Sequence, residues 1–205
     1  MSGRPDQRVF LARHGQTAYN HEGRFQGQQA IPLDATGRAQ ALELAERARA
    51  YGFRTLWTSP LLRARETADA IAARIGLQAR EDPRLMETDA GDWTDRSFAD
   101  VMSHAPALFA AFASADPSFA FPGGESFAEQ EVRVAAALAD VERAALPALV
   151  VCHGMTIRAA LASRGAAPEE FRRIPNAAIV PLDPDDAEVA IARDALGGGE
   201  ATMPS

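Results

Sequence analysis

Lysine is absent from this chain, so all 21 of its cationic side chains are arginines. Any anion it binds must therefore be held by guanidinium forks, imidazoles or backbone amides. Cysteine occurs once, which excludes an internal disulfide framework and a cysteine-rich zinc site and fits a reducing, cytoplasmic setting. No apolar run approaches the roughly 18 residues that a membrane-spanning helix needs. The opening residues, Met1 to Arg8, read as a short polar arm rather than a signal peptide. A net charge of −7 argues against the dominant basic face on which binding to nucleic acid or an anionic membrane relies. Histidine is scarce too, with four copies, yet two of them share one local pattern.

That pattern is an apolar run ending in His-Gly-X-Thr. It occurs as Val9-Phe10-Leu11-Ala12-Arg13-His14-Gly15-Gln16-Thr17 and as Ala148-Leu149-Val150-Val151-Cys152-His153-Gly154-Met155-Thr156. Both runs read as buried strands, each delivering an imidazole to a strand end. In open α/β sheets ligands bind at the carboxyl ends of strands, where loops and helix N-termini present free amides. Two histidines brought there from distant parts of the chain point to one site.

A length of 205 residues and 47% hydrophobic content fit one domain over 1–205 with a substantial core. The ends, 1–7 and 195–205, read as flexible. Residues 8–13 form a predicted strand and 36–51 a helix stopped by Gly52. A strand over 53–57 follows, then a helix opened by Ser59-Pro60 as cap and first turn and closed by Gly76. This β-α-β-α order predicts a three-layer α/β/α sandwich with a mostly parallel central sheet. Residues 88–123, with five of the ten phenylalanines, read as a small helical insertion over the active site, either a satellite core or a substrate lid. Ser126 and Glu129 form a capping box that opens a helix running to about Leu146, where Pro147 ends it. A strand over 148–152 and a helix over 155–163 come next. Two final strands, over 177–182 and 188–192, are joined by the Asp183-Pro184-Asp185-Asp186 turn.

The blocks around the histidines extend further. Arg13-His14-Gly15 continues through Asn20, Arg24, Gln26 and Gly27. Ser59-Pro60-Leu61-Leu62-Arg63-Ala64-Arg65-Glu66-Thr67-Ala68 follows, then Leu85-Met86-Glu87 with Gly91-Asp92-Trp93, then Pro122-Gly123-Gly124-Glu125-Ser126, and finally His153-Gly154-Met155-Thr156-Ile157-Arg158. In this order and spacing they resemble the histidine phosphatase superfamily, the phosphoglycerate mutase-like family. The resemblance implies that fold, and a phosphoric monoester hydrolase of the histidine acid type that needs no metal or cofactor and acts on a small phosphorylated metabolite.

It also implies roles for residues. His14 would be the nucleophile and Glu87 the proton donor, with His153 beside them. Arg13, Arg63 and His153 would clamp the phosphoryl oxygens, aided by amides at Gly15 and Gly154 and by Asn20. Arg24, Gln26 and Gly27 would line the substrate pocket, Arg24 reaching a distal acid group. Arginines near His14 disfavour imidazolium and keep a nitrogen lone pair available near neutral pH. Two departures from the family pattern, Tyr19 where tryptophan is frequent and Ala30 where aspartate is, leave this clamp untouched.

Three other readings stand beside it. A cofactor-dependent phosphoglycerate mutase would use the same residues but return the phosphoryl group to a second hydroxyl; the Gly-Gly-Glu-Ser block looks more like the phosphatase branch. Cys152 through Arg158 spells Cys-X5-Arg, the loop of cysteine phosphatases, but Cys152 belongs to an apolar run and Val151 replaces the usual histidine. A non-catalytic phosphate-binding protein would not need Glu87. Zinc is set aside because short-range ligand pairs are missing. A homodimer is compatible with the sequence, which does not fix the oligomeric state.

Overall fold

The computed structural model describes residues 8–166 and 174–187. The expected strand over 188–192 and both expected flexible ends lie outside the described residues. Among the described residues five strands, β1 (Val9–Arg13), β2 (Thr55–Thr58), β3 (Ala79–Glu81), β4 (Ala148–Cys152) and β5 (Ile179–Pro181), form one sheet in the order β3-β2-β4-β1-β5. The pairs β3-β2, β2-β4 and β4-β1 are parallel, and β5 pairs antiparallel with β1.

Alternation along the strands sorts the core into two layers. Val9, Leu11, Val150 and Cys152 face α6 (Phe127–Arg143) and α7 (Gly154–Ala162), meeting Val134, Leu138, Val141 and Ile157. Phe10, Ala12, Leu149 and Val151 face the other way, onto Leu44 and Ala45 of α2 (Ala35–Ala48) and Ala68 and Ile71 of α3 (Leu62–Ile75). The strands are apolar on both faces because both are covered, as expected for a doubly packed parallel sheet. The sandwich predicted from the sequence is therefore present.

Several boundaries differ from expectation. β3 carries no apolar alternation, since Ala79-Arg80-Glu81 is a partly exposed edge strand. Leu61, not Ser59, is the N-cap of α3 and makes no side-chain cap. Ser59 instead lies wholly buried, its hydroxyl accepting the Leu61 amide at 3.2 Å. α6 stops at Arg143, because Ala144 is already extended. The capping box of Ser126 and Glu129 forms as predicted.

Residues 88–123 contain a 3-10 turn at Gly91–Trp93 and two short helices, α4 (Phe98–His104) and α5 (Pro106–Ala113). Its aromatic rings turn on one another. Trp93, 2% exposed, packs against Phe25, Phe109, Phe112, Phe119 and Phe121 with centroids 5.1 to 6.4 Å apart. This forms a third apolar cluster, and such offset and edge-on pairs add about 0.5–1.5 kcal/mol each beyond their buried area.

Candidate active site

Parallel register brings the strand ends together. Arg13 pairs with Cys152 and Val151 with Thr58, so His14, His153 and Ser59 leave the same edge of the sheet on adjacent strands. The His14 amide still donates to the Cys152 carbonyl at 3.1 Å, and the Ser59 amide to Val151 at 3.0 Å. From the next strand, the chain passes Asp82 and a 3-10 turn at Pro83–Leu85 before reaching Glu87.

The imidazoles of His14 and His153 lie with centroids 5.1 Å apart, and both residues are buried. His14 Nδ1 meets the Gly15 carbonyl oxygen at 2.7 Å. A carbonyl only accepts, so Nδ1 carries the hydrogen and the lone pair is on Nε2. Burial, then Arg63 and Arg13, push His14 well below the ordinary imidazole range. His153 is pushed the same way by burial, Arg63, His14, Arg13 and Arg133. Its Nε2 meets the Ser59 hydroxyl at 2.8 Å, while Nδ1, fully enclosed, has no hydrogen-bond partner.

Arg63 is 1% exposed. Its two terminal nitrogens donate to the carbonyls of Gln29 (3.0 Å) and Gly27 (2.8 Å), and its Nε is enclosed without a partner. Burial, opposed by Glu87, lowers this guanidinium to about 10, so it stays charged at neutral pH. Arg13 donates to the Ile174 carbonyl. Its side chain runs beside the first turn of α7, since a Cβ on Gly154 would stand 3.6 Å from Arg13 Nε. Glu87 reaches that turn as well: its Oε2 accepts the Met155 amide at 3.3 Å, and its Oε1 accepts Thr88 at 3.0 Å. Arg13, His14, Arg63, Glu87, His153 and Gly154 thus converge. A buried imidazole N and a buried guanidinium Nε without partners are costly to a fold.

Other predicted residues serve the scaffold in this structure. The Gly15 amide donates to Thr67 Oγ1 at 3.1 Å, which leaves it no hydrogen for a ligand. Asn20 caps α1 (Ala18–Glu22) in a capping box with Thr17. Its Oδ1 also accepts Asn176 Nδ2 at 3.2 Å, and that same nitrogen reaches the His14 carbonyl at 3.0 Å. Gln26 accepts from the Thr17 hydroxyl at 2.9 Å. Arg24 lies over the Tyr19 ring and donates twice to the Asp95 carbonyl and once to Glu22. Its guanidinium is therefore engaged by Asp95 and Glu22 in this structure.

Sequence reasoning missed Ser59, Thr67 and Asn176. Each acts through a partner remote in the chain, and only Ser59 and Thr67 carried a signal, by lying in the same block as Arg63. Cys152 is fully buried in the α6–α7 layer, and burial raises its thiol, so the cysteine-phosphatase reading is overturned. Among the described residues no three His, Cys, Asp or Glu side chains gather as a metal site would require. Among them, too, no helix is long and apolar enough to cross a membrane.

Two buried imidazoles and two arginines thus stand together at the carboxyl edge of an α/β sandwich. Residues 9–195 match the histidine phosphatase superfamily (branch 1), and the chain belongs to that family. It is 39% identical to the probable phosphoglycerate mutase GpmB of an Enterobacter species over 153 residues, covering 73% of this chain and 70% of the relative. Among solved structures, a mycobacterial glucosyl-3-phosphoglycerate phosphatase complexed with VO3 superposes with a TM-score of 0.77 at 32% identity. That match covers 85% of this chain and 90% of the other. A phosphoserine phosphatase of Entamoeba histolytica, solved with phosphoserine, superposes at 0.75 with 25% identity over 85% and 89%. The family resemblance carried by the motif blocks is thus borne out.

Proposed function

We propose that this protein is a phosphomonoester hydrolase working through a phosphohistidine on His14. The observation that carries the reading is the pair of enclosed, unpartnered nitrogens, His153 Nδ1 and Arg63 Nε, together with a His14 whose lone pair is on Nε2. The Nε2 lone pair forms the N–P bond as the bond from phosphorus to the leaving oxygen breaks. That oxygen takes the proton of the Glu87 carboxyl group, and the guanidiniums and His153 hold the three non-bridging oxygens. A water then attacks phosphorus, gives its proton to Glu87, and the N–P electrons return to His14. No step uses a metal, and Arg13, His14, Arg63, Glu87 and His153 carry the reaction, with the α7 amides at Gly154 and beyond adding positive potential.

The competing reading is a mutase, favoured by the name of the GpmB relatives. A mutase retains a bisphosphate, whose second anionic group needs cations of its own. Residues 88–125 carry one arginine, Arg96, against six carboxylates. Arg96 is paired with Asp100, and Arg24 is engaged by Asp95 and Glu22. These commitments support hydrolysis. The test is to follow free phosphate and isomer formation together over a panel of phosphomonoesters that includes 3-phosphoglycerate. Phosphate release should dominate on every substrate turned over; interconversion of 2- and 3-phosphoglycerate faster than phosphate release would make the protein a mutase.

A further inference from the structure

The proposed reaction leaves the Pro-Gly-Gly-Glu-Ser block without a role. Its backbone lies directly against the segment that follows Glu87. A Cβ on Gly124 would come within 2.4 Å of the Asp89 carbonyl oxygen, and one on Gly91 within 2.2 Å of the Pro122 carbonyl oxygen. Only glycine permits this approach at both positions. The contact is held by the Glu125 amide donating to Asp89 at 3.0 Å and the Asp92 amide donating to Pro122 at 2.8 Å.

Docked in this way, Glu125 meets Arg133 on α6 in a forked, largely enclosed ion pair, with Nη2 to Oε2 at 2.7 Å and Nε to Oε1. Glu125 also accepts the Asp89 amide at 3.3 Å. The remaining donors of Arg133 go to the chain on the other side of Glu87. They reach the carbonyls of Arg84 at 2.7 Å, Met86 at 2.8 Å and Glu87 itself at 3.2 Å. The ion pair therefore grips the backbone before, at and after Glu87. Thr156 Oγ1 donates to Met86 at 3.1 Å and Gln28 Nε2 to Glu87 at 3.2 Å, tying the same segment to α7 and to the loop carrying Gly27.

We propose that Glu125 and Arg133 are positioning residues that fix the Glu87 carboxyl group for proton transfer to the leaving oxygen, a role that rests on the assignment of Glu87 as that acid. Neither touches the phosphoryl group. Arg133 fits the task because five donors in a rigid fork can serve a bidentate carboxylate and several carbonyls at once, which an ammonium cannot.

The prediction follows from what an acid does. A p-nitrophenolate leaves readily without a proton, whereas an alkoxide does not, so loosening the acid harms alkyl esters selectively. Arg133→Met and Glu125→Gln should lower kcat/KM, which reads phosphorylation of His14 and not the later step in which Glu87 takes the proton of water, by about tenfold to a hundredfold on glycerol phosphate and by less than about threefold on p-nitrophenyl phosphate, since a misplaced catalytic group costs on that order. Vanadate affinity should hold in both variants. Glu125→Gln keeps the size of the side chain and every carbonyl contact of Arg133, so it reports even if Arg133→Met fails to fold. Equal losses on both esters, or no loss on either, would overturn the proposal. Glu87→Gln is run alongside. If it shows the selective loss and the other two do not, positioning alone is wrong; if Glu87→Gln is itself unselective, the acid assignment falls and the proposal with it.

Discussion

His14 and His153 are each fastened through opposite nitrogens, His14 through Nδ1 to the Gly15 carbonyl and His153 through Nε2 to the Ser59 hydroxyl, with their rings 5.1 Å apart. The nitrogens left over are Nε2 of one and Nδ1 of the other. In the proposed reaction the free nitrogen of His14 attacks phosphorus and that of His153 faces the phosphoryl oxygens, both held in place before substrate arrives.

Because both imidazoles are kept neutral by burial and by Arg63, folding should become less favourable in mild acid. The unfolded chain binds protons at these histidines below about pH 6.5 while the folded one does not, so stability is lost as pH falls through that value, by up to about 1.4 kcal/mol per pH unit for each histidine. Urea denaturation between pH 7.5 and 5 measures the slope, and His14→Gln or His153→Gln should each reduce it. A slope unchanged in both variants would show that the imidazoles are not held neutral.

Arg63→Lys should lower kcat/KM by about a hundredfold or more, the scale of losing one preorganised oxyanion donor. A lysine retains charge, but it has no second arm to span the Gln29 and Gly27 carbonyls while offering Nε inward. Steady-state kinetics on p-nitrophenyl phosphate would show it, and activity within threefold of the parent would remove Arg63 from the clamp.

Gly37→Ala tests how α2 supports the nucleophile loop. A Cβ there would meet the Gln16 carbonyl oxygen at 1.9 Å and one on Gly15 the Gly37 carbonyl oxygen at 2.3 Å, so two backbones touch where no side chain fits. The alanine variant should lose about 1–3 kcal/mol of stability, as overpacked sites do, and most of its activity. Thermal melting decides; an unchanged midpoint would mean the loop yields easily.

The sequence made most of this architecture legible, and the exceptions have physical causes. The strands at Val9–Arg13 and Ala148–Cys152 announced themselves because both their faces are covered. β3 did not, being three residues long and partly exposed. Ser59 looked like a helix cap because serine favours that place, but its hydroxyl faces His153. The phenylalanines of the insertion could equally have lined a lid, and only their mutual packing distinguishes a core. For the site, motif blocks revealed the residues that touch phosphate in the proposed reaction. Those that hold them, Thr67, Asn176 and Arg133, are read only from contacts across 52, 162 and 46 positions of chain.

The central claim, a phosphohistidine on His14, is tested most directly by mixing the protein with excess p-nitrophenyl phosphate, quenching in alkali within milliseconds and mapping the phosphoryl group by mass spectrometry. A phosphoryl group on His14 that is stable in base, labile in acid and absent from His14→Ala is the expected result. A phosphoryl group on any other side chain, or full turnover by His14→Ala, would contradict it.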